Sequence, residues 1–210
     1  MNSSLWRWTF FFVGLLIFSL GITLCIKGQS LGISPWDVLH VGLNIHFGLT
    51  IGTWSIITGL LLVTGTALVT KSWPQIGTWL NMIAIGLFID LFNWMIPDVS
   101  NLAGQIILFI LGVVIMGLGV GVYVSANVGA GPRDSVMLVL MKKTGWSIKR
   151  VRTLLETGVG IIGWLLGGPV GIGTILVALC LGQIVQMTLP WSQARLQKCI
   201  ERQQVAAPQR

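Results

Sequence analysis

Acidic residues in apolar surroundings are the first candidates for chemistry in this chain. The 210 residues include six acids, and four of them lie in or beside long apolar stretches: Asp37, Asp90, Asp134 and Glu156. An ionisable group at membrane depth is costly unless it is paired or hydrated, so each is a candidate group for binding a solute or an ion. The alternative is structural: a hydrogen bond between helices for Asp90, and for Glu156 an ion pair with Arg152 one turn earlier.

Two of these acids belong to a motif that occurs twice. Gly-Ile-Ser-Pro-Trp-Asp at 32–37 and Gly-Ala-Gly-Pro-Arg-Asp at 129–134 share the pattern G-x-x-P-x-D, 97 residues apart. Proline suits the first position of a helix, and an acid two residues later suits the helix dipole. Ser34 is the expected N-cap of the first helix and Gly131 that of the second. Asp37 and Asp134 therefore have a structural alternative, which is to satisfy the N-termini of their own helices.

The motifs predict two short helices, at 35–47 and 132–143. Each would be about 20 Å long and shorter than the ~30 Å hydrocarbon core, so we expect re-entrant or interfacial helices. The conformationally special and aromatic residues of the motifs are candidate gate residues: Gly32, Pro35, Trp36, Gly129, Gly131 and Pro132.

Polar residues on the short helices extend the set of candidates. On the first helix, Asp37, His40 and Asn44 fall on one stripe and are candidates for binding a substrate or an ion. His40 and His46 lack the spacing and the third ligand of a metal site, and we predict no metal or cofactor. Arg133 replaces Trp36 in the second motif. It is either a ligand for an anionic group or a product of the positive-inside rule.

The composition is that of a polytopic membrane protein. Hydrophobic residues make up 54% of the chain, charged residues 9%, and the mean hydropathy is +0.85, whereas soluble domains carry about 25% charge. The formal charge of +7 does not indicate nucleic-acid binding, because the basic residues cluster in loops and a tail between apolar runs. We predict six spans, at 8–26, 51–69, 76–96, 102–125, 151–166 and 172–189.

The chain is predicted to be duplicated, with a first repeat at 1–99, a second at 100–190 and a basic cytoplasmic tail at 191–210. Matches continue beyond the motif, such as Leu43 with Leu140 at an offset of 97 and Gly86 with Gly182 at 96. Three spans per copy would invert the second copy relative to the first. The uncharged loop 48–50 corresponds to 142–152, which carries five basic residues. This contrast favours opposite orientations with both termini in the cytoplasm, over an eight-span alternative that would place Lys71 outside.

The two motifs, together with Gly-Trp-Leu-Leu-Gly-Gly-Pro-Val-Gly-Ile-Gly-Thr at 163–174, resemble the YczE/YyaS/YitT family of bacterial integral membrane proteins, and the YczE-like branch most closely. The resemblance covers residues 18–189. It implies a multi-pass protein of the bacterial inner membrane and supplies no substrate. The soluble C-terminal domain of the longer YitT-type members has no counterpart here.

These features lead to a small-molecule transporter or permease as the expected function. Since each short helix already holds an acid near its positive end, a small polar, zwitterionic or cationic solute is expected before a strongly anionic one. The alternative is a non-transporting membrane regulator or scaffold that acts through a partner protein. A polar cavity between the copies would favour transport, and an interior filled with Leu, Gly and Val would favour the scaffold. Catalytic motifs such as H-E-x-x-H are absent from the sequence, so we do not expect an enzyme. The glycine-lined helix faces permit a homodimer.

Overall fold

A computed structural model of the chain describes residues 3–129 and 131–206. This described part is all-helical, as predicted. Its eight α-helices are α1 (Ser3–Lys27), α2 (Pro35–Phe47), α3 (Ile51–Thr70), α4 (Ile76–Met95), α5 (Leu102–Ser125), α6 (Pro132–Thr144), α7 (Ile148–Leu165) and α8 (Ile172–Ala206). A single 3-10 turn at Gln29–Leu31 precedes the first motif. The two predicted short helices are present as α2 and α6, α6 being one residue longer than expected.

Five of the described helices, α1, α3, α4, α5 and α8, are long and apolar enough to cross a membrane by length and composition. The predicted fifth span corresponds to α7, which begins at Ile148 and not at Val151. Its first half carries four charged residues, Lys149, Arg150, Arg152 and Glu156. A sixth crossing, and with it the inverted repeat, therefore stays a prediction.

The centre of the protein is the pair α1 and α5, the first helices of the two predicted copies. Gly14 of α1 lies beside Tyr123, and Gly28, at the end of α1, lies beside Gln105, so the two helices run antiparallel. A Cβ atom on Gly14 would lie 2.3 Å from the Tyr123 nitrogen, and one on Gly28 would lie 2.5 Å from the Gln105 oxygen. Glycine is needed here because the two backbones touch.

The remaining helices exchange partners between the copies. The short helix α2 packs on α7, and its counterpart α6 packs on α3. The motif loops are exchanged in the same way. A Cβ on Gly32, whose φ is +88°, would lie 2.3 Å from the Gly171 nitrogen at the start of α8, and one on Gly129 would lie 2.7 Å from the Thr78 nitrogen at the start of α4. Each motif loop thus rests on the first turn of the other copy's last helix.

The C-terminal segment differs from the prediction. The sixth span was expected to end at Leu189, with the basic tail after it, but α8 continues through Pro190 to Ala206. Proline removes a single backbone donor, and the hydrogen bonds on either side carry the helix past it. Beyond Pro190 the helix buries Ser192, Leu196 and Ile200 at four-residue spacing, so one face of this segment is covered by protein. Residues 207–210 of the predicted tail lie outside the described residues.

Candidate functional site

The first motif forms the N-terminus of α2 as its sequence predicts. The Ser34 hydroxyl oxygen accepts a hydrogen bond from the Asp37 nitrogen at 3.4 Å, and the hydroxyl donates to Asp37 Oδ2 at 2.5 Å. Pro35 occupies the first helical turn. Oδ2 of Asp37 thus bonds the side chain of the cap residue, and the other carboxylate oxygen remains to be explained.

That second oxygen faces a histidine. Asp37 and His40 are each 1% exposed, and Asp37 Oδ1 lies 3.8 Å from His40 Nδ1. Neither atom has a hydrogen-bond partner among the described residues. Nε2 of His40 lies 2.9 Å from the Thr58 hydroxyl on α3. The predicted polar stripe of α2 splits, since Asn44 donates to the Leu49 carbonyl at 2.6 Å and stabilises the loop that follows α2.

The two motifs meet through the side chains that follow their prolines, Trp36 and Arg133. The Arg133 guanidinium carbon lies 4.8 Å from the centre of the Trp36 ring. This is a cation–π contact, typically worth about 0.5–2 kcal/mol. In the part of the chain that the structure describes, Arg133 forms no ion pair. The arginine is thus placed by an aromatic face, and its hydrogen-bond donors stay available.

A cavity of about 520 Å³ lies where the two copies meet, and both motifs line it. Pro35 and Trp36 come from the first motif and Pro132 from the second, while α3, α4, α5, α7 and α8 supply further walls. The lining is mixed: apolar residues such as Phe18 and Val177 alternate with Ser55, Thr58 and Glu156. Such a mixture of apolar walls and a few placed polar groups is typical of a site for a small ligand.

Among the sequence-predicted residues, this cavity brings together His40, Arg133, Asp134, Glu156, Pro35, Trp36, Gly131 and Pro132. Glu156 forms the expected ion pair with Arg152, with 2.8 Å between Oε1 and Nε. Asp37 lies behind His40 and is not itself in the lining. Asn44 of α2 and the loop residues Gly32 and Gly129 are not in the cavity lining.

Asp90 is also placed elsewhere. Its Oδ1 accepts from the Gly52 nitrogen at 2.8 Å, and its Oδ2 accepts from the Thr50 hydroxyl at 2.5 Å. The carboxylate of α4 thus satisfies the first turn of α3 and ties the two helices together. This geometry is the structural alternative that the sequence left open for Asp90.

Several polar residues of the cavity escaped the sequence analysis as site candidates, among them Asn81, Tyr123 and Gln186. Asn81 is 1% exposed, and its Nδ2 has no hydrogen-bond partner within the described ranges. The sequence could have drawn attention to Asn81, because Asn81 lies one turn after Ile-Gly-Thr at 76–78, a segment that recurs at 172–174. Gln186 could have been proposed as a candidate because it lies 96 residues after Asp90, at the offset of the predicted repeat. Tyr123 carried no local signal.

Comparison with known proteins places the chain in a family. The model of the family of unknown function DUF6198 matches residues 5–190 and so includes both motifs and every residue of the cavity. The chain belongs to this family. It is 52% identical over 200 residues to the uncharacterized membrane protein YczE of Bacillus subtilis (strain 168), covering 95% of this chain and 93% of that protein.

Two further relatives of the family are more distant. An uncharacterized protein of Haemophilus influenzae is 34% identical over 194 residues, with 89% of this chain and 87% of that protein covered. The uncharacterized protein YyaS of Bacillus subtilis is 30% identical over 187 residues, with 88% and 92% covered. The resemblance to the YczE-like branch is confirmed, and with the apolar helices it makes the chain an integral membrane protein. No solved structure matches it.

Proposed function

We propose that this protein is a small-molecule transporter or permease of the bacterial inner membrane, in which two inverted copies give alternating access to a central site. The observation that carries the proposal is the cavity to which both motifs contribute. A scaffold needs only packed helices, whereas a transporter needs a hydrated chamber between its halves.

The packing supports an inverted repeat with α7 as the sixth crossing and both termini in the cytoplasm. Equivalent helices α1 and α5 run antiparallel, which is how copies of opposite orientation pack about an axis in the membrane plane. The exchanged contacts of α2 with α7 and of α6 with α3 are related by the same operation. In this arrangement the charged first half of α7 lies at the cytoplasmic side, as the positive-inside rule requires.

The two copies differ in one contact that matters for access. In the first copy α3 packs closely on α4, and a Cβ on Gly52 would lie 2.0 Å from the Gly86 oxygen. In the second copy α7 has no comparably close contact with α8 among the described residues. Gly182, the counterpart of Gly86, lines the cavity with no atom within 4 Å of its Cβ position. This difference supports the assignment of a state closed between α3 and α4 and open between α7 and α8.

The charges of the cavity favour a zwitterionic or small polar solute. Arg133 and Asp134 are neighbours in sequence, both line the cavity, and neither forms an ion pair within the described residues. A solute with a carboxylate and an ammonium group would satisfy both at once. The unpaired Nδ2 of Asn81 is a further donor for an oxygen of the solute.

The test is solute uptake by proteoliposomes that contain the full chain. We expect accumulation of one or more members of a radiolabelled panel of zwitterionic amino acids and betaines, and none from matched anionic or cationic panels. Arg133→Gln and Asp134→Asn should each abolish the uptake, while Asp90→Asn, outside the cavity, is the control that should retain it.

Uptake that is absent for all three panels, together with a cavity whose accessibility never changes, would favour the regulator or scaffold. Accessibility is measured in a background without Cys25, Cys180 and Cys199, where Gly182→Cys reports on the cavity. A transporter should shift the labelling of this cysteine by a membrane-impermeant maleimide when solute is added. A scaffold should not.

A further inference from the structure

The buried pair of Asp37 and His40 shows a mismatch in its hydrogen bonding. Asp37 Oδ1 and His40 Nδ1 face each other at 3.8 Å, and neither has another partner among the described residues. Both side chains are 1% exposed. Unsatisfied buried polar atoms are rare because each one loses its hydration without replacement, so two that face each other need an explanation.

The positions of the hydrogens can be worked out from the neighbours. The Thr58 hydroxyl has one hydrogen and directs it to the carbonyls of Trp54 at 2.8 Å and Ser55 at 3.2 Å, one turn back on α3. The alternative is that Thr58 donates to His40 Nε2, and Nδ1 then carries the hydrogen. With Thr58 bonded to its own helix, its oxygen accepts the 2.9 Å bond from His40, so Nε2 of His40 carries a hydrogen. In a neutral imidazole Nδ1 is then an acceptor. It would face an ionised carboxylate oxygen, also an acceptor.

One additional proton removes this conflict. We infer that the Asp37–His40 pair is a proton-binding site at the wall of the cavity and that its proton is the coupling ion of transport; the second part rests on the proposed function. Binding adds one proton from cavity water to Nδ1, and the carboxylate and neutral imidazole become a carboxylate and an imidazolium that share a hydrogen bond. His40 lines the cavity and Asp37 lies behind it, so the histidine is the group that exchanges the proton.

The surrounding charges come from three elements. Arg133 of α6 acts electrostatically on both members of the pair, and the Cys25 thiol of α1 interacts with Asp37. Arg152 and Glu156 of α7, and Asp134 of α6, line the same cavity. Helix α3 packs against α2 and provides the Thr58 hydroxyl that bonds His40, and it contains no charged residue. Loss of the proton therefore leaves the carboxylate beside Arg133, which links the protonation of the pair to the arginine proposed to hold the solute.

Nitrogen-15 magnetic resonance of the two histidines tests the site directly. The full chain is labelled with ¹⁵N-histidine in lipid nanodiscs and followed from about pH 5 to 9. Exposed His46 is an internal reference, and its signals are identified with the His46→Gln variant. We expect wild-type His40 to carry hydrogens on both nitrogens at the acidic end of the series and on Nε2 alone at its alkaline end.

Asp37→Asn is the matched variant, because its amide can accept from Ser34 and donate a permanent N–H to Nδ1. In this variant we expect His40 to carry a hydrogen on Nε2 alone throughout the series. A wild-type His40 that carries a single hydrogen throughout the series would overturn the inference. The wild-type series decides this even if Asp37→Asn fails to insert.

The coupling is tested by the pH dependence of the opening between α7 and α8. Spin labels at the exposed Leu154 and Leu179 should report a separation that changes with pH in the wild type and is fixed in Asp37→Asn. A separation that changes equally in both proteins contradicts proton coupling by this pair. A separation that changes under no condition, while His40 still holds its proton as expected, contradicts the proposed transport and leaves the proton site standing.

Discussion

Two equivalent glycines, Gly86 on α4 and Gly182 on α8, give the most informative pair of substitutions. A Cβ on Gly86 would lie 2.4 Å from Ile56 Cγ1 and 2.6 Å from the Gly52 oxygen. The second contact is with backbone, so α3 and α4 would have to separate to accommodate alanine. At Gly182 the same Cβ meets nothing within 4 Å.

The magnitude follows from comparing the two alanine variants with each other. Both glycines lie inside long helices, so both substitutions gain the same intrinsic helix propensity, about 1 kcal/mol. This gain cancels in the comparison and leaves the cost of overpacking at Gly86, about 1–3 kcal/mol. Gly86→Ala should therefore unfold at a temperature several degrees below Gly182→Ala, given about 2–4 °C per kcal/mol for a chain of this size.

The assay is thermal unfolding of the purified proteins, followed by the fluorescence of the 10 tryptophans. Gly182→Ala should be at least as stable as the wild type and yet reduce solute uptake, because closure would bring α7 against Gly182 as α3 now lies against Gly86. Equal destabilisation by the two substitutions would refute the reasoning, since it would mean that the space beside Gly182 is filled.

Three further substitutions test single contacts, each by the same unfolding assay. Asp90→Ala should cost about 1–3 kcal/mol, because the buried Gly52 nitrogen loses its acceptor; an unchanged unfolding temperature would contradict the capping role. Trp36→Leu should cost about 0.5–2 kcal/mol from lost contact with Arg133, with Trp36→Phe as the milder control. Pro190→Ala should stabilise α8 by up to about 3 kcal/mol, and a loss of stability would show that the proline serves the packing.

Helix bounds, caps and pairs within one helix could be predicted from the sequence, because they depend on residues a few positions apart. The bounds of α2, the Ser34 cap and the Gly131 cap followed from the proline, the cap residues and the acid of each motif, which act within one helical turn. The Arg152–Glu156 pair followed from its spacing on one helix. The duplication was predicted from equivalent residues that recur at 96–97 positions, and it stays a prediction.

Contacts between distant segments could not be predicted in the same way. Nothing local to Asp90 indicates that it meets the first turn of α3, and nothing local to Trp36 indicates that Arg133 would lie over its ring. The continuity of α8 was missed because an interior proline usually kinks or ends a helix at a cost of about 3 kcal/mol, whereas here the burial of Ser192, Leu196 and Ile200 against the rest of the protein accompanies the continued helix. Asn81 and Tyr123 became site candidates only once the fold placed them beside Gly131.

Alternating closure of the two copies is tested most directly by two interhelical distances measured on the same protein. One label pair joins α7 and α8 at Leu154 and Leu179, and the other joins α3 and α4 at Leu61 and Leu87, all four positions being exposed. When solute is added, or the pH changed, the α7–α8 distance should shorten while the α3–α4 distance lengthens. Distances that stay constant, or that change together in the same direction, would contradict the account.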